Sequence, residues 1–143
     1  PAISVWWTSA GQSAQLLIDK EVTYGMTYNG RVYGKPNVNY TFNEGYLVLS
    51  WWGVPKGTPP ERQAAAMKFF HETTLPENEA VAMQMIPYSG ASAQLDGVIP
   101  LDKLADFPTT AGNAEIQWTA NREAWQQVAA EAEKRWQQFK LGL

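Results

Sequence analysis

Residues that favour β-strands are concentrated before about position 54 of this 143-residue chain, and residues that favour helices follow it. That division argues against a regular βαβ alternation and for an α+β or mixed α/β layout, in which different stretches supply strands and helices. Val22 to Tyr28, Val38 to Phe42 and Tyr46 to Trp52 read as strands, because Val, Thr, Tyr and Trp recur between turn-forming clusters. The clusters are Asn29-Gly30, Gly34-Lys35-Pro36-Asn37 and Asn43-Glu44-Gly45. The last offers residues that tolerate left-handed backbone, so the second and third strands are expected to pair antiparallel.

Three capping-box spacings, a Ser or Thr cap followed three positions on by Glu or Gln, mark helix starts. Ser9 precedes Gln12 by three positions and leads into Ala14, Leu17 and Ile18, which predicts a helix over about 10–19. Thr58-Pro59-Pro60-Glu61 and Thr74-Leu75-Pro76-Glu77 place proline early in a helix, where its missing N–H is no loss. The second of these helices should run to about Met85 and end ahead of Pro87, since proline pushes its predecessor out of the α region. A loop-rich stretch from Pro87 to Pro108 holds one short helical turn near Leu101 to Ala105. A closing helix over about 119–139 carries Trp125, Val128, Ala129, Ala132, Trp136 and Phe139 on one apolar stripe, which is read as core.

Composition removes several functions. A formal net charge of -3 with scattered basic residues does not suit nucleic acid, whose phosphates demand clustered Lys and Arg. No cysteine and a single histidine, His71, leave no zinc site, thiolate nucleophile or disulfide. His71 is read as a solvated or structural residue at a helix end. Neither a G-x-S-x-G elbow nor a glycine-rich phosphate cradle occurs, and the acids form no pair in an apolar frame, so the chain is not read as an enzyme. No apolar run approaches the ~20 residues of a membrane span, and no basic segment followed by an apolar one opens the sequence. A start at Pro1 rather than Met leads to the expectation of a processed or cleaved end, and of a chain that is part of a longer protein.

Aromatic residues beside turns are what remain as candidates for a site. Tyr28 and Tyr88 each adjoin a Gly or Pro break at an expected sheet edge. Arg31 is either a surface charge or a fork for a ligand carboxylate. Ser50 is either a satisfied core hydroxyl or a donor facing a ligand, and Gln117 either caps the last helix or reaches a ligand.

Seven segments in register resemble the C-terminal portion of periplasmic solute-binding proteins of ABC importers, in the cluster that includes the spermidine/putrescine-binding proteins. They are Trp7-Thr8-Ser9 with Gln12 to Leu17, Glu21 to Arg31, Trp52 to Gly57, Ala64 to Phe70, Pro76 to Ala80, Ile86-Pro87-Tyr88, and Trp118 to Trp136, together spanning nearly the whole chain. The resemblance implies an α/β fold: the C-terminal part of a two-lobe periplasmic-binding-protein fold of type II, with a mixed sheet, packed helices and a long C-terminal helix. It implies that residues 1–36 belong to the second lobe, that 37–50 are hinge-crossing strands, and that 51–143 belong to the first lobe.

By the same resemblance, the polyamine-binding pattern places a ligand aromatic at Tyr28, a cleft tyrosine at Tyr88 and a glutamine at Gln117. It places at Ser50 an acid that pairs with the ligand amine, and an aromatic at Val48. Serine for carboxylate removes several kcal/mol, by rough estimate, of compensation for a buried ammonium. With Arg31 nearby, a carboxylate-bearing ligand such as a small amino acid therefore competes with a polyamine. The implied protein captures a small-molecule ligand in the periplasm, without a cofactor, and delivers it to a membrane permease. The expected protein partners are that permease and either a missing N-terminal portion or a second copy in a swapped dimer. An oligomerising interaction module derived from such a protein, and a hydrolase, stand as alternatives.

Overall fold

The computed structural model describes residues 3–110 and 112–142, apart from the side chain of Asp96. Pro1, on which the expectation of a processed end rests, lies outside them. Helix α1 (Ala10–Ile18) begins where Ser9 accepts a hydrogen bond from the Gln12 N–H at 3.2 Å. Gln12 reaches back in turn, accepting from the Thr8 N–H at 2.8 Å, so the reciprocal cap closes one residue earlier than the Ser9–Gln12 pair alone would. The helix buries Ser13, Ala14 and Leu16, and Lys20 in left-handed backbone (φ 60) turns the chain back over Leu16. The hydroxyls of Ser13 and Thr27 then share a 2.9 Å hydrogen bond, which fixes the following segment against α1.

The expected strand over 22–28 is not formed: the chain bends at Thr23 and Tyr24 and pairs with no neighbour, and the Asn29-Gly30 turn is instead a single helical turn, α2 (Asn29–Val32). Backbone N–H groups of Arg31 and Tyr33 donate to the carbonyls of Tyr28 and Asn29, and the turn is anchored by Val32, 1% exposed. The expected break at 34–37 is present, with left-handed Gly34 (φ 67) and Asn37 (φ 64).

The mixed sheet is not formed. Asn43-Glu44-Gly45 makes its turn, with the Gly45 N–H donating to Phe42 at 2.8 Å and Glu44 at φ 55, but the flanking segments do not pair with each other. Residues 44–47 run parallel to 116–118 instead: Glu44 N–H donates to Ile116, Trp118 N–H to Gly45 and Leu47 N–H to Trp118, at 2.8–2.9 Å. Tyr46 and Trp118 are the only bridged pair among the described residues, and their rings stack with centroids 4.4 Å apart. A strand is defined by the N–H and C=O groups of a neighbour. Propensity extends residues 38–42 and 47–54, yet the described chain offers them no further edge.

Helices α3 (Pro60–Thr73), α4 (Pro76–Met83) and α5 (Arg122–Lys140) complete the chain, joined by 3-10 turns at Leu95–Gly97, Leu101–Asp106 and Asn113–Ile116. Both expected threonine caps are corrected. The Thr58 hydroxyl donates backward to Pro55 and that of Thr74 donates to Phe70 and His71, so Thr74 closes the end of α3 and caps nothing ahead of it. Each helix starts at its proline, so Pro59 and Leu75 hold the N-cap position and each threonine lies one residue too early to cap. Asn121, not Gln117, caps α5, accepting from the Ala124 N–H at 3.0 Å.

Besides Ala14, Leu16 and Val32 in α1 and α2, burial is concentrated in one cluster. Met83, Leu95, Ile99 and Phe107, with Leu104 against them, form the core between α4 and the 3-10 turns. The α5 stripe, expected as core, is exposed: no residue of α5 is buried, and Trp125 is 56% exposed. Its stripe is met at one end, where Trp6 packs edge-on against Trp136 and Phe139 at 4.9 and 5.6 Å. All seven tryptophans are exposed, against the usual tendency of indole to be mostly covered. A compact monomer of 16.0 kDa exposes about 7,400 Å², whereas this chain exposes 11154 Å².

Candidate ligand-binding site

Tyr28 ends an extended run and α2 starts at Asn29, so one turn of helix presents Tyr28, Asn29, Gly30 and Arg31 together. This turn docks on Ile86-Pro87-Tyr88. The Asn29 side-chain amide donates to the carbonyl of Pro87 at 2.5 Å, across 58 residues of sequence. Gly30 lies flat against Tyr88: a Cβ there would stand 2.6 Å from Tyr88 Cε1 and 2.7 Å from Ile86 Cγ1, closer than such atoms approach without displacement. Pro87 is fully buried beneath this contact, while Tyr28 and Tyr88 keep 41% and 40% of their surfaces open. Two half-open phenols thus flank a glycine and an amide.

Gln117 joins the same rim through the loop that precedes it. Its side-chain amide donates to the carbonyls of Pro108 (2.5 Å) and Asn113 (2.8 Å), and the next residue, Thr109, donates its N–H to the Ser89 hydroxyl at 3.1 Å. Asn113 ties the loop further by donating to Ala105 and Phe107. Both amide hydrogens of Gln117 hold backbone, which leaves its carbonyl oxygen as the group open to a ligand. The signal for this arrangement is absent from local spacing, because the partners are carbonyls that no residue type encodes.

Arg31 is exposed on α2 and makes no ion pair among the described residues; the single ion pair there, Arg135 with Glu131, lies on α5. Ser50 stands apart. It is exposed on the unpaired extended segment beyond the Tyr46–Trp118 bridge, so it is neither a satisfied core hydroxyl nor part of the rim, and Val48 two residues earlier is exposed as well. Val48 and Leu49 line a shallow hollow of about 80 Å³ with Thr119, Ala120 and Arg122, and the Arg122 guanidinium sits 4.7 Å over the Trp51 ring.

Sequence reasoning passed over Glu79 and Asn29. Glu79, at the start of α4, is 9% exposed, and its carboxylate accepts from the N–H groups of Ala91 (2.7 Å) and Ser92 (3.1 Å). A Cβ at Gly90 would overlap that carboxylate. Among the described residues no three His, Asp or Glu side chains come together as a metal site. Tyr40 sits beside this region, its hydroxyl donating to the carbonyl of Asp106 at 3.1 Å. Burial, then the Asp106 carboxylate, then Tyr33 push its pKa up to about 12.

Comparison with known proteins bears on this arrangement. The structure is similar to that of an ABC transporter substrate-binding protein from Bradyrhizobium japonicum USDA 110, at 35% sequence identity and a TM-score of 0.75, over 96% of this chain and 44% of that one. The chain thus spans less than half the length of that protein. Among curated proteins no match was found. The family model of bacterial extracellular solute-binding proteins matches residues 1–109, three quarters of the chain. The chain belongs to the bacterial extracellular solute-binding protein family.

Proposed function

We propose that this chain is the substrate-binding component of an ABC transporter, or a portion of one, and that it captures a small polar metabolite in the periplasm for delivery to a membrane permease. The observation that carries this reading is the rim in which Gly30 meets Tyr88, and Asn29, next to Tyr28, bonds to Pro87, with Gln117 joined to it through Pro108 and Thr109. Half-open aromatics beside backbone-anchored amides suit a small ligand with an apolar body and polar ends. Residues 1–36 as part of the second lobe, 37–50 as the hinge crossing and 51–143 as part of the first lobe would place this rim between lobes, where closure on a ligand is rewarded by contacts on both sides. The role is binding without catalysis.

Charge favours a carboxylate-bearing ligand, such as a small amino acid, over a polyamine. Arg31 makes no ion pair among the described residues, Ser50 replaces the acid of the polyamine pattern, and the Glu79 carboxylate is already engaged by two backbone amides. An ammonium group entering the rim finds no open counter-charge, which is costly in a desolvated site. A carboxylate finds a guanidinium able to bind it with two hydrogen bonds.

The exposed aromatic faces of α3 and α5 are read as surfaces that the remainder of a longer chain, or a second copy in a swapped dimer, covers. Isothermal titration against α-amino acids, putrescine and spermidine tests the ligand class. Heat with an amino acid that Arg31→Ala abolishes is the expected result. Heat with spermidine alone overturns the carboxylate reading, and heat with none of them overturns the site.

A further inference from the structure

On its Tyr88 side the rim has no regular structure beneath it. Tyr88 and Ser89 lie in a loop between the end of α4 at Met83 and the 3-10 turn at Leu95, and a loop of this length, left to itself, samples many conformations. Yet Tyr88 is pressed on Gly30 closely enough to exclude a methyl group, and Ser89 is held on Thr109. Something must hold the loop from its far side.

Glu79 is the group in position to do so. It projects from the first half of α4, its carboxylate nearly buried, and both oxygens take backbone hydrogens from the far limb of the same loop, Oε1 from Ala91 and Oε2 from Ser92. Gly90 passes so close that no side chain fits between the carboxylate and the chain. A buried charge is tolerated where its hydrogen bonds are complete, and no buried side-chain polar atom among the described residues lacks a partner. Residues 89–92 thus form a strap with Thr109 on one side and Glu79 on the other.

We propose that Glu79 is a positioning residue for ligand binding: its carboxylate clamps Ala91 and Ser92, and through the strap sets Tyr88 against Gly30 and Ser89 against Thr109. This assignment rests on the rim being the ligand site. It calls for two acceptor oxygens at this depth, because an amide at the same place would oppose one of the two N–H groups with its own. Glu79→Gln should therefore release the strap, whereas Glu79→Asp, one methylene shorter but still with two acceptors, should restore it in part.

Amide resonances of the full chain and titration with L-alanine and putrescine test the assignment by separate routes. In Glu79→Gln, resonances of Gly30, Ala91, Ser92 and Thr109 should shift while those of Ala14 and Leu16 in α1 stay in place. Whichever probe binds the native chain should then bind the variant roughly tenfold more weakly or worse, the scale of one lost hydrogen bond to a charge. Glu79→Asp should recover part of both effects, and it carries the test by itself should Glu79→Gln not fold. Unmoved resonances at the four sites overturn the clamp, as does an equal disturbance of α1, which marks a general loss of folding. Binding of neither probe by the native chain counts against the ligand reading, and the resonances alone then decide whether Glu79 holds the strap.

Discussion

The stretch from Glu79 to Gln117 and the helix α5 stand in opposite relations to burial. Beyond the end of α4 the first is broken by proline and glycine into 3-10 turns and loops, and its sequence reads as loop-rich from Pro87 to Pro108. It nevertheless holds the core of Met83, Leu95, Ile99 and Phe107, and its polar side chains, Glu79, Asn113 and Gln117, each hydrogen-bond to backbone across several residues. The second is 19 residues of well-capped helix with one apolar stripe, and buries nothing. Hydrogen bonds and caps are satisfied locally and suffice to make a helix. Burial needs a second surface, and of these two regions the irregular stretch folds back on itself to provide one.

The sharpest way to break this contrast is to remove one large ring from each region. Phe107, 3% exposed, fills the core, so Phe107→Ala should lose about 3–5 kcal/mol. That is much of the stability of an ordinary domain. Trp125→Ala removes a larger ring from α5 and should change stability by less than about 0.5 kcal/mol. Denaturant unfolding followed by circular dichroism checks both. A loss in Trp125→Ala equal to that in Phe107→Ala would mean that the α5 stripe is covered in solution, by a second copy of the chain for instance, and the contrast would fail.

A smaller effect is expected at the seam between the core and the amino-terminal helices. At Gly30 the backbone is helical, so alanine is conformationally welcome, yet its methyl would meet Tyr88 and Ile86 side chains. Overpacking of this kind costs about 1–3 kcal/mol. Gly30→Ala should therefore destabilise the chain and displace the Tyr88 ring, which one-dimensional aromatic proton spectra report. Should the variant gain stability, as helical Gly→Ala changes do in open positions, the close contact with Tyr88 does not exist in solution.

What the sequence could reveal follows the same division. Ser9 with Gln12, the prolines at 60 and 76, and the break before Pro87 are local signals, and each appears where it was expected. Thr58 and Thr74 misled because a threonine hydroxyl can donate backward as readily as accept forward. Strand character over 38–52 was legible as extension, and its pairing was not, since pairing is a property of the neighbour: the observed partner, Ile116 to Trp118, lies about seventy positions away. In the site, Tyr28 and Tyr88 stood out as aromatics beside chain breaks. Asn29 and Glu79 were hidden because they bind carbonyls and amides, which every residue carries. The α5 stripe was read correctly as apolar and wrongly as buried, for periodicity states which face seeks cover without supplying it.

The smallest effect concerns Tyr40, which attaches the extended segment 38–42 to the core region through its bond to the Asp106 carbonyl. Burial and the Asp106 carboxylate favour the neutral phenol in the folded chain, raising its pKa from the ordinary 10.0 to about 12. The sign follows directly. Below pH 10 the phenol is neutral folded or unfolded, and its contribution to stability is fully present. Between about 10 and 12 the unfolded chain releases the proton first, so stability falls as pH rises through that window. The side chain is partly open to solvent, which screens the effect and keeps it small. A phenolate absorbance titration should show a late component near pH 12 that Tyr40→Phe removes, with the fall in stability over that window becoming shallower. If the late component persists in Tyr40→Phe, another tyrosine carries it, and the anchor between the extended segment and the core is not the one drawn here.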